Sequence, residues 1–246
     1  MLRTRLPDVR PTGPAEVLAR ARPALTLATL AVLFLIAVAA ALFIGRSESG
    51  WTISDPDSLV FSFRWPRVLT AAAAGLALAS AGVMLQRLLR NPLASPEIVG
   101  ISAGAGFAVA LGTIITSSAI TDPPPLSILG SLSALTLLLL MLQRRTQSTL
   151  AVVLAGIALA AALDAGMGFA ISVGGDEVYT LLGWLSGTTL YADAGSSPTL
   201  LLLVLVLFAA STALGRWLDL IALGPEIASG RGLNLRLSQP LLFLLA

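Results

Sequence analysis

Long apolar runs broken by short polar clusters set the pattern of this chain, with no sustained alternation of period two. Six runs stand out, at roughly 23–45, 67–89, 97–117, 126–142, 149–172 and 198–217. Each is close to the ~20 residues that a helix needs to cross ~30 Å of hydrocarbon. Their periodicity is weak because apolar residues occupy most faces, as expected where lipid or other helices surround a segment. The pattern predicts an all-α, polytopic membrane protein with about six transmembrane helices.

The segments between the runs differ in kind. Residues 1–22 form a polar, proline-bearing, arginine-rich tail, and the run that follows is longer than the ~7–15-residue core of a secretory signal and lacks an A-x-A cleavage site. It is therefore read as the first span. Pro123-Pro124-Pro125 is read as part of a turn over 118–125, because three missing N–H groups oppose helix continuation. The 173–197 segment includes Tyr179 to Leu190, mildly apolar and too short to span, which reads as an interfacial or re-entrant helix. The chain divides into the tail at 1–22, a transmembrane region at 23–217, and a segment at 218–246 that holds polar turns and the start of a seventh apolar run.

Composition sharpens this reading. Of 246 residues, 56% are hydrophobic and 11% charged, whereas a soluble domain is about a quarter charged. All fifteen basic residues are arginine, and there is no histidine or cysteine, which excludes disulfides, thiol catalysis and Cys/His metal sites. Without lysine there is no G-x-x-x-x-G-K-[ST] phosphate loop, so an ATP-driven role would need a separate ATPase. The net charge of +2 and the placement of arginines at the ends of apolar runs speak against nucleic acid as a partner. With the N-terminus on the cytoplasmic side, the inner segments hold twelve of the fifteen arginines and the outer side holds Arg46, Arg64 and Arg67. The positive-inside rule favours that orientation. Trp65, Trp184 and Trp217 fall near the expected water interfaces, where amphipathic rings are favoured.

Two further features bear on chemistry. Small residues recur inside the runs, as in Ala71–Gly75, Ala79–Gly82, Gly104-Ala-Gly106, Gly156 and Ala160–Ala162, and in lipid such faces mark close helix packing. Asp164 is an acid in the middle of a predicted span, with no basic or histidine partner in any other span. Intramembrane carboxylates are costly and mark functional sites by default. Two readings stay open: a protonated or water-contacting group on a bundle-facing side, or the titrating group of an ion-coupled secondary transporter.

Several separated motifs carry a family resemblance. Arg64-Trp65-Pro66-Arg67, Ala73-Ala74-Gly75, Gly82, Gln86, Asn91-Pro92-Leu93-Ala94-Ser95-Pro96 and Gly100-Ile101-Ser102-Ala103-Gly104-Ala105 stand in one order. Leu154-Ala155-Gly156, Trp184-Leu185-Ser186-Gly187-Thr188 and Leu223 to Gly232 follow. Over roughly 60–246 the chain resembles the permease subunits of ABC importers for iron siderophores and cobalamin. Its details are closest to the ferric-hydroxamate type, in particular the C-terminal half of the double-length form.

The resemblance implies a multi-pass permease of the bacterial cytoplasmic (inner) membrane, a ten-helix bundle that pairs with a second permease half or a homodimer partner. It implies a pair of ABC ATPase subunits inside, a periplasmic or lipoprotein substrate-binding protein outside, and neither catalytic residues nor a resident cofactor or metal. Arg64 and Arg67 would dock the binding protein by pairing with its glutamates. Glu226, Ala228 and Gly232 would lie in the element that couples to the ATPase. That element departs from the family's E-A-A-x-x-x-G pattern, since Ile227 stands at the first alanine and Pro225 and Gly230 lower helix propensity. Ser102, Trp184, Thr188 and Thr189 are candidates to line a weakly polar path for a whole ferric chelate. The resemblance also implies about four more spans, whereas only six apolar residues follow Pro240, ~9 Å of helix. A truncated permease, inactive alone, is the corresponding expectation.

Overall fold

The computed structural model describes residues 23–47, 50–53, 58–116, 123–143, 149–175 and 182–246. In order these form α1 (Pro23–Phe43), β1 (Ile44–Ser47), β2 (Gly50–Ile53), α2 (Leu59–Leu88), α3 (Ile101–Thr116), α4 (Pro123–Gln143), α5 (Thr149–Val173), α6 (Ser196–Ala213), α7 (Gly215–Ala222), α8 (Pro225–Gly230) and α9 (Leu235–Leu245). Five of them, α1, α2, α4, α5 and α6, are long and apolar enough to cross a membrane. The third apolar run, at 97–117, becomes the 16-residue α3, about 24 Å long, which packs against both α4 and α5. The expected all-α membrane fold is present.

The chain divides into two units, Met1–Val68 and Leu69–Ala246. In the first, α1 ends at Phe43, two residues before the run predicted from sequence, and the chain turns into an unforeseen antiparallel ribbon that pairs Ile44 with Ile53 and Ser47 with Gly50. The ring of Phe43 meets that of Phe61 at 5.9 Å. The Nη1 of Arg64 donates to the carbonyls of Leu42 and Ile44, at 3.4 and 3.0 Å, and so satisfies acceptors that the end of α1 leaves open.

In the second unit the largest core gathers Met84, Leu85 and Leu88 of α2, Leu135 and Leu138 of α4, Leu218 and Ile221 of α7, and Leu242 and Phe243 of α9. A second, smaller cluster joins Val109 and Ala110 of α3 to Ala170 of α5, with Trp184 and Leu185 packed on it. Between them α3 and α4 approach backbone to backbone. A Cβ on Gly104 would lie 2.6 Å from the Ala134 Cβ and 2.7 Å from the Gly130 carbonyl oxygen. In lipid, where apolar expulsion does not drive association, such close approach is what holds helices together. At its start α6 is tied to α2 by the hydroxyls of Thr70 and the buried Ser197, 3.0 Å apart.

Several boundaries correct the expectations from sequence. Pro123-Pro124-Pro125 is not a turn but the first turn of α4, where the missing N–H groups would have no helical acceptor in any case. The span expected at 67–89 begins at Leu59, so the Arg64–Arg67 motif lies inside α2 around Pro66 and not at its end. The run at 198–217 breaks at Leu214 into α6 and α7. Of the predicted Tyr179–Leu190 helix, only residues 182–185 are helical among those described, and 179–181 lie outside them.

Among the described residues, one buried side-chain hydroxyl is unsatisfied. Ser238, 2% exposed on α9, has no partner for its hydroxyl. A buried hydroxyl without a hydrogen bond costs about 1–3 kcal/mol, so Ser238→Ala is expected to raise the thermal midpoint of the detergent-solubilised protein. A lowered midpoint would contradict it.

Candidate functional site

The end of the second unit that carries Arg87, Arg90, Arg216, Arg231 and Arg236 is built from chain reversals. At the end of α2, Arg90 N–H donates to the Arg87 carbonyl at 3.3 Å and Asn91 N–H to that of Gln86 at 3.0 Å. This is the helix-terminating arrangement that places its pivotal residue in the left-handed region. Here that residue is Arg90, with φ 48°, in a place where glycine is usual. Its guanidinium lies 3.7 Å from where a Cβ on Gly224 would stand. Beside it, Arg87 at the end of α2 is paired with Asp219 of α7, both largely exposed. Sequence reasoning missed this pair, although Asp219 was visible as an acid among arginines.

Gly224, at φ 116° and ψ 155°, turns the chain from α7 into α8 through a conformation that is essentially reserved for glycine. Six residues later α8 is closed in the same manner as α2. Gly232 N–H donates to the Ser229 carbonyl at 2.9 Å, and Leu233 N–H to that of Ala228 at 3.0 Å, with Gly232 at φ 83°. The three candidate coupling residues therefore hold different positions. Glu226 is exposed in the first turn of α8, Ala228 is fully buried, and Gly232 shapes the cap. Leu223 at 62% and Ile227 at 47% exposure flank Glu226. The result is a short helix, closed at its C-terminal end through Gly232, that presents Ile227 and the Glu226 carboxylate beside the exposed Leu223 of the preceding turn.

The 91–100 segment supports this end from beneath. Asn91 Oδ1 accepts from Leu93 N–H at 3.0 Å, and Ala94 and Val99, each 2% exposed, enter the larger core. The segment lies on α5 at Gly156, where a Cβ would stand 2.8 Å from the Ile98 carbonyl oxygen and 3.1 Å from the Val99 Cα. Two motifs that are more than fifty residues apart in sequence, Asn91–Gly100 and Leu154–Gly156, thus form one backbone contact.

The candidate lining residues are not brought together. Ser102 is exposed in the first turn of α3, next to Ile101, which packs on the larger core. Trp184 packs on the smaller cluster instead. Thr188 is exposed, and its hydroxyl accepts from Leu190 N–H at 3.1 Å, while Thr189 is half-buried. In the next loop Asp193 caps the start of α6. The Ser196 hydroxyl, then the N–H groups of Ser196 and Gly195, hold its carboxyl below the ordinary carboxylate range. Asp164 is exposed on α5, where bundle-facing placement was one of the sequence readings. In the first unit Arg67 is half-buried on α2.

Comparison with known proteins supplies the context. The chain is 35% identical over 217 residues to the iron(3+)-hydroxamate import system permease protein FhuB of Salmonella typhimurium, covering 87% of this chain and 32% of that one. It is 37% identical over 179 residues to the Fe(3+)-citrate import system permease protein YfmE of Bacillus subtilis, covering 72% and 53%. The chain thus spans about a third of the first relative's length and about half of the second's. Among solved structures, an inward-facing metal-chelate type ABC transporter superposes with a TM-score of 0.76 at 26% identity, over 89% of this chain and 70% of that one. The profile of the FecCD transport family matches residues 24–246, practically the whole described chain, and the protein belongs to that family.

Proposed function

We propose that this chain is membrane-spanning permease material of an ABC importer that carries a ferric siderophore, of hydroxamate type, across the bacterial cytoplasmic membrane. Energy comes from ATP hydrolysis by a separate pair of ATPase subunits, and a binding protein delivers the chelate from outside. The observation that supports this most is the family match over residues 24–246 in a chain whose described part holds five helices apolar enough to span a membrane. The hydroxamate assignment rests on the FhuB relatives. α8 fits the coupling role: Glu226, Leu223 and Ile227 form the contact, while buried Ala228 and the left-handed Gly232 hold its shape. Pathway roles for Ser102, Trp184, Thr188 and Thr189 require contributions from different faces, since Ser102 stands apart from the others. The test is uptake of radiolabelled ferric hydroxamate by this chain with its cognate ATPase and binding protein, in cells lacking their own permease. Uptake that survives ATP depletion would favour an ion-coupled carrier instead.

Arg64 and Arg67 fit the docking of an acidic patch on the binding protein. Rim charges of this kind act more on orientation and encounter rate than on affinity, each pair being worth ~0–1 kcal/mol. Because the Arg64 guanidinium is engaged by the Leu42 and Ile44 carbonyls, Arg67 carries the larger share. Reversing both to glutamate in the assembled transporter is expected to abolish uptake, and Arg67→Glu alone to lower it with membrane insertion unchanged. Unaltered uptake in the double variant would refute the docking role.

A further inference from the structure

The β1–β2 ribbon carries an apolar face that the described part of its unit leaves uncovered. Side chains alternate along a strand, so Trp51 and Ile53 share one face of β2, and Ile44, paired directly with Ile53, stands on the same face of β1. Trp51, Ile53 and Ile44 are 79%, 85% and 52% exposed. Gly45 and its partner Thr52 take the opposite face. There Gly45 is buried, and a Cβ on it would overlap the Arg64 guanidinium that caps α1. The ribbon is thus fastened by one face and open on the other.

What covers the open face follows from where the ribbon stands. No residue from Leu25 to Phe43 is buried within the described structure, and α1, with 21 residues, is about 31 Å long, close to the thickness of the hydrocarbon layer. β1 follows α1 without a linker. Ile44 therefore leaves the helix at the depth where hydrocarbon gives way to headgroups, on the outer side in the orientation that the arginines favour. That zone suits both aspects of the ribbon. It accepts an amphipathic indole and, just beneath it, aliphatic side chains. Its water and headgroups also satisfy the edge N–H and C=O groups that two strands leave unpaired, which the hydrocarbon core could not do. A lone two-stranded ribbon is marginal in water, so a stable one needs a covered face. We infer that the ribbon is a membrane anchor: Ile44, Trp51 and Ile53 lie against lipid at the outer boundary of the bilayer, while Arg64 and Gly45 hold the opposite face to the end of α1. The partner is the lipid surface itself, and the inference does not depend on the transport reading.

The chain has no cysteine, so nitroxide labels can be placed singly. Trp51→Cys, Ile53→Cys and Thr52→Cys are labelled in the full chain and reconstituted into vesicles of phosphatidylcholine and phosphatidylglycerol, with Leu33→Cys in α1 as the lipid reference. Power saturation compares collision with oxygen, which partitions into the bilayer, and with a hydrophilic nickel chelate. The oxygen-to-nickel ratio is expected to be several-fold higher at 51 and 53 than at 52, which corresponds to labels about 5–10 Å inside the headgroup level. Each substitution leaves the other apolar side chain of β2 in place, and if Trp51→Cys does not reconstitute, position 53 against 52 decides the matter. Equal, nickel-rich values at all three ribbon positions overturn the inference, because the face then stands in water. Low collision with both agents at 51 and 53 overturns it as well, because a protein surface then covers the face.

Discussion

Gly104→Leu and Gly130→Leu are each expected to unfold the α3–α4 contact and to leave a protein that aggregates or melts well below the parent in detergent. The reason is geometric. Even the first carbon of a side chain on Gly104 would fall 2.6 Å from the Ala134 Cβ and 2.7 Å from the Gly130 carbonyl oxygen, and one on Gly130 would overlap the Gly104 carbonyl and the Ala108 Cβ. None of these atoms lies at the far end of a flexible chain, so relief requires the helix axes to part. Overpacking costs about 1–3 kcal/mol and can exceed that where backbone must move. Separation would also forfeit the close contacts that substitute for hydrophobic association in lipid. Helix propensity acts the other way, since alanine is favoured over glycine by about 1 kcal/mol. Gly104→Ala is therefore expected to be mildly destabilising, whereas Gly75→Ala and Gly82→Ala, which meet nothing within 4 Å, are expected to be neutral or stabilising. Thermal midpoints for the set decide it, and a parent-like midpoint for Gly104→Leu would overturn the account.

This contact also shows what was legible in the sequence. The apolar runs announced the spans because hydrocarbon thickness imposes a length that composition reveals directly. The small residues announced that something packs closely, but Gly75 and Gly104 look alike in sequence. Only the fold shows that one faces open space and the other a facing backbone. Helix ends were less legible. Arg64 to Arg67 were read as a boundary because charge and proline usually mark one, yet α2 starts at Leu59 and runs 30 residues, about 45 Å, longer than a bilayer core needs. The break at Leu214 carries no proline, and Gly215 and Arg216 beside it are only weak signals for one. Across the break Leu218 and Ile221 of α7 turn into the core beside Leu85 and Leu88, a tertiary demand that adds to the weak local signal of Gly215. In the coupling-like element the motif drew attention to Glu226, Ala228 and Gly232. Burial then separates a residue able to touch a partner from two that shape its presentation, and it adds Leu223 and Ile227 as exposed neighbours.

Gly156→Val should have an effect that reaches farther from its origin. The 91–100 segment rests on α5 with the Ile98 carbonyl and the Val99 Cα where a Cβ would stand, and Gly100, at φ 83°, places its own missing Cβ 3.1 Å from the Ala160 nitrogen. Both sides of the contact are backbone, and valine is stiff at χ1, so it cannot fold its methyl groups away. The segment must lift. Val99 and Ala94 share a core with Leu89, Leu218 and Ile221, so lifting it loosens the floor beneath α7 and, through Gly224, the start of α8. The substitution is expected to lower the thermal midpoint, at an overpacking cost of about 1–3 kcal/mol. Cysteines placed at Ala94 or Val99 should also pass from protected to reactive toward a hydrophilic thiol reagent. In an assembled transporter, ATP-driven chelate uptake should fall more steeply than the amount of inserted protein, because the element positioned by this floor is the one proposed to meet the ATPase. A variant that keeps the parental midpoint and leaves positions 94 and 99 protected would show that the contact between the 91–100 segment and Gly156 does not hold this end of the molecule together.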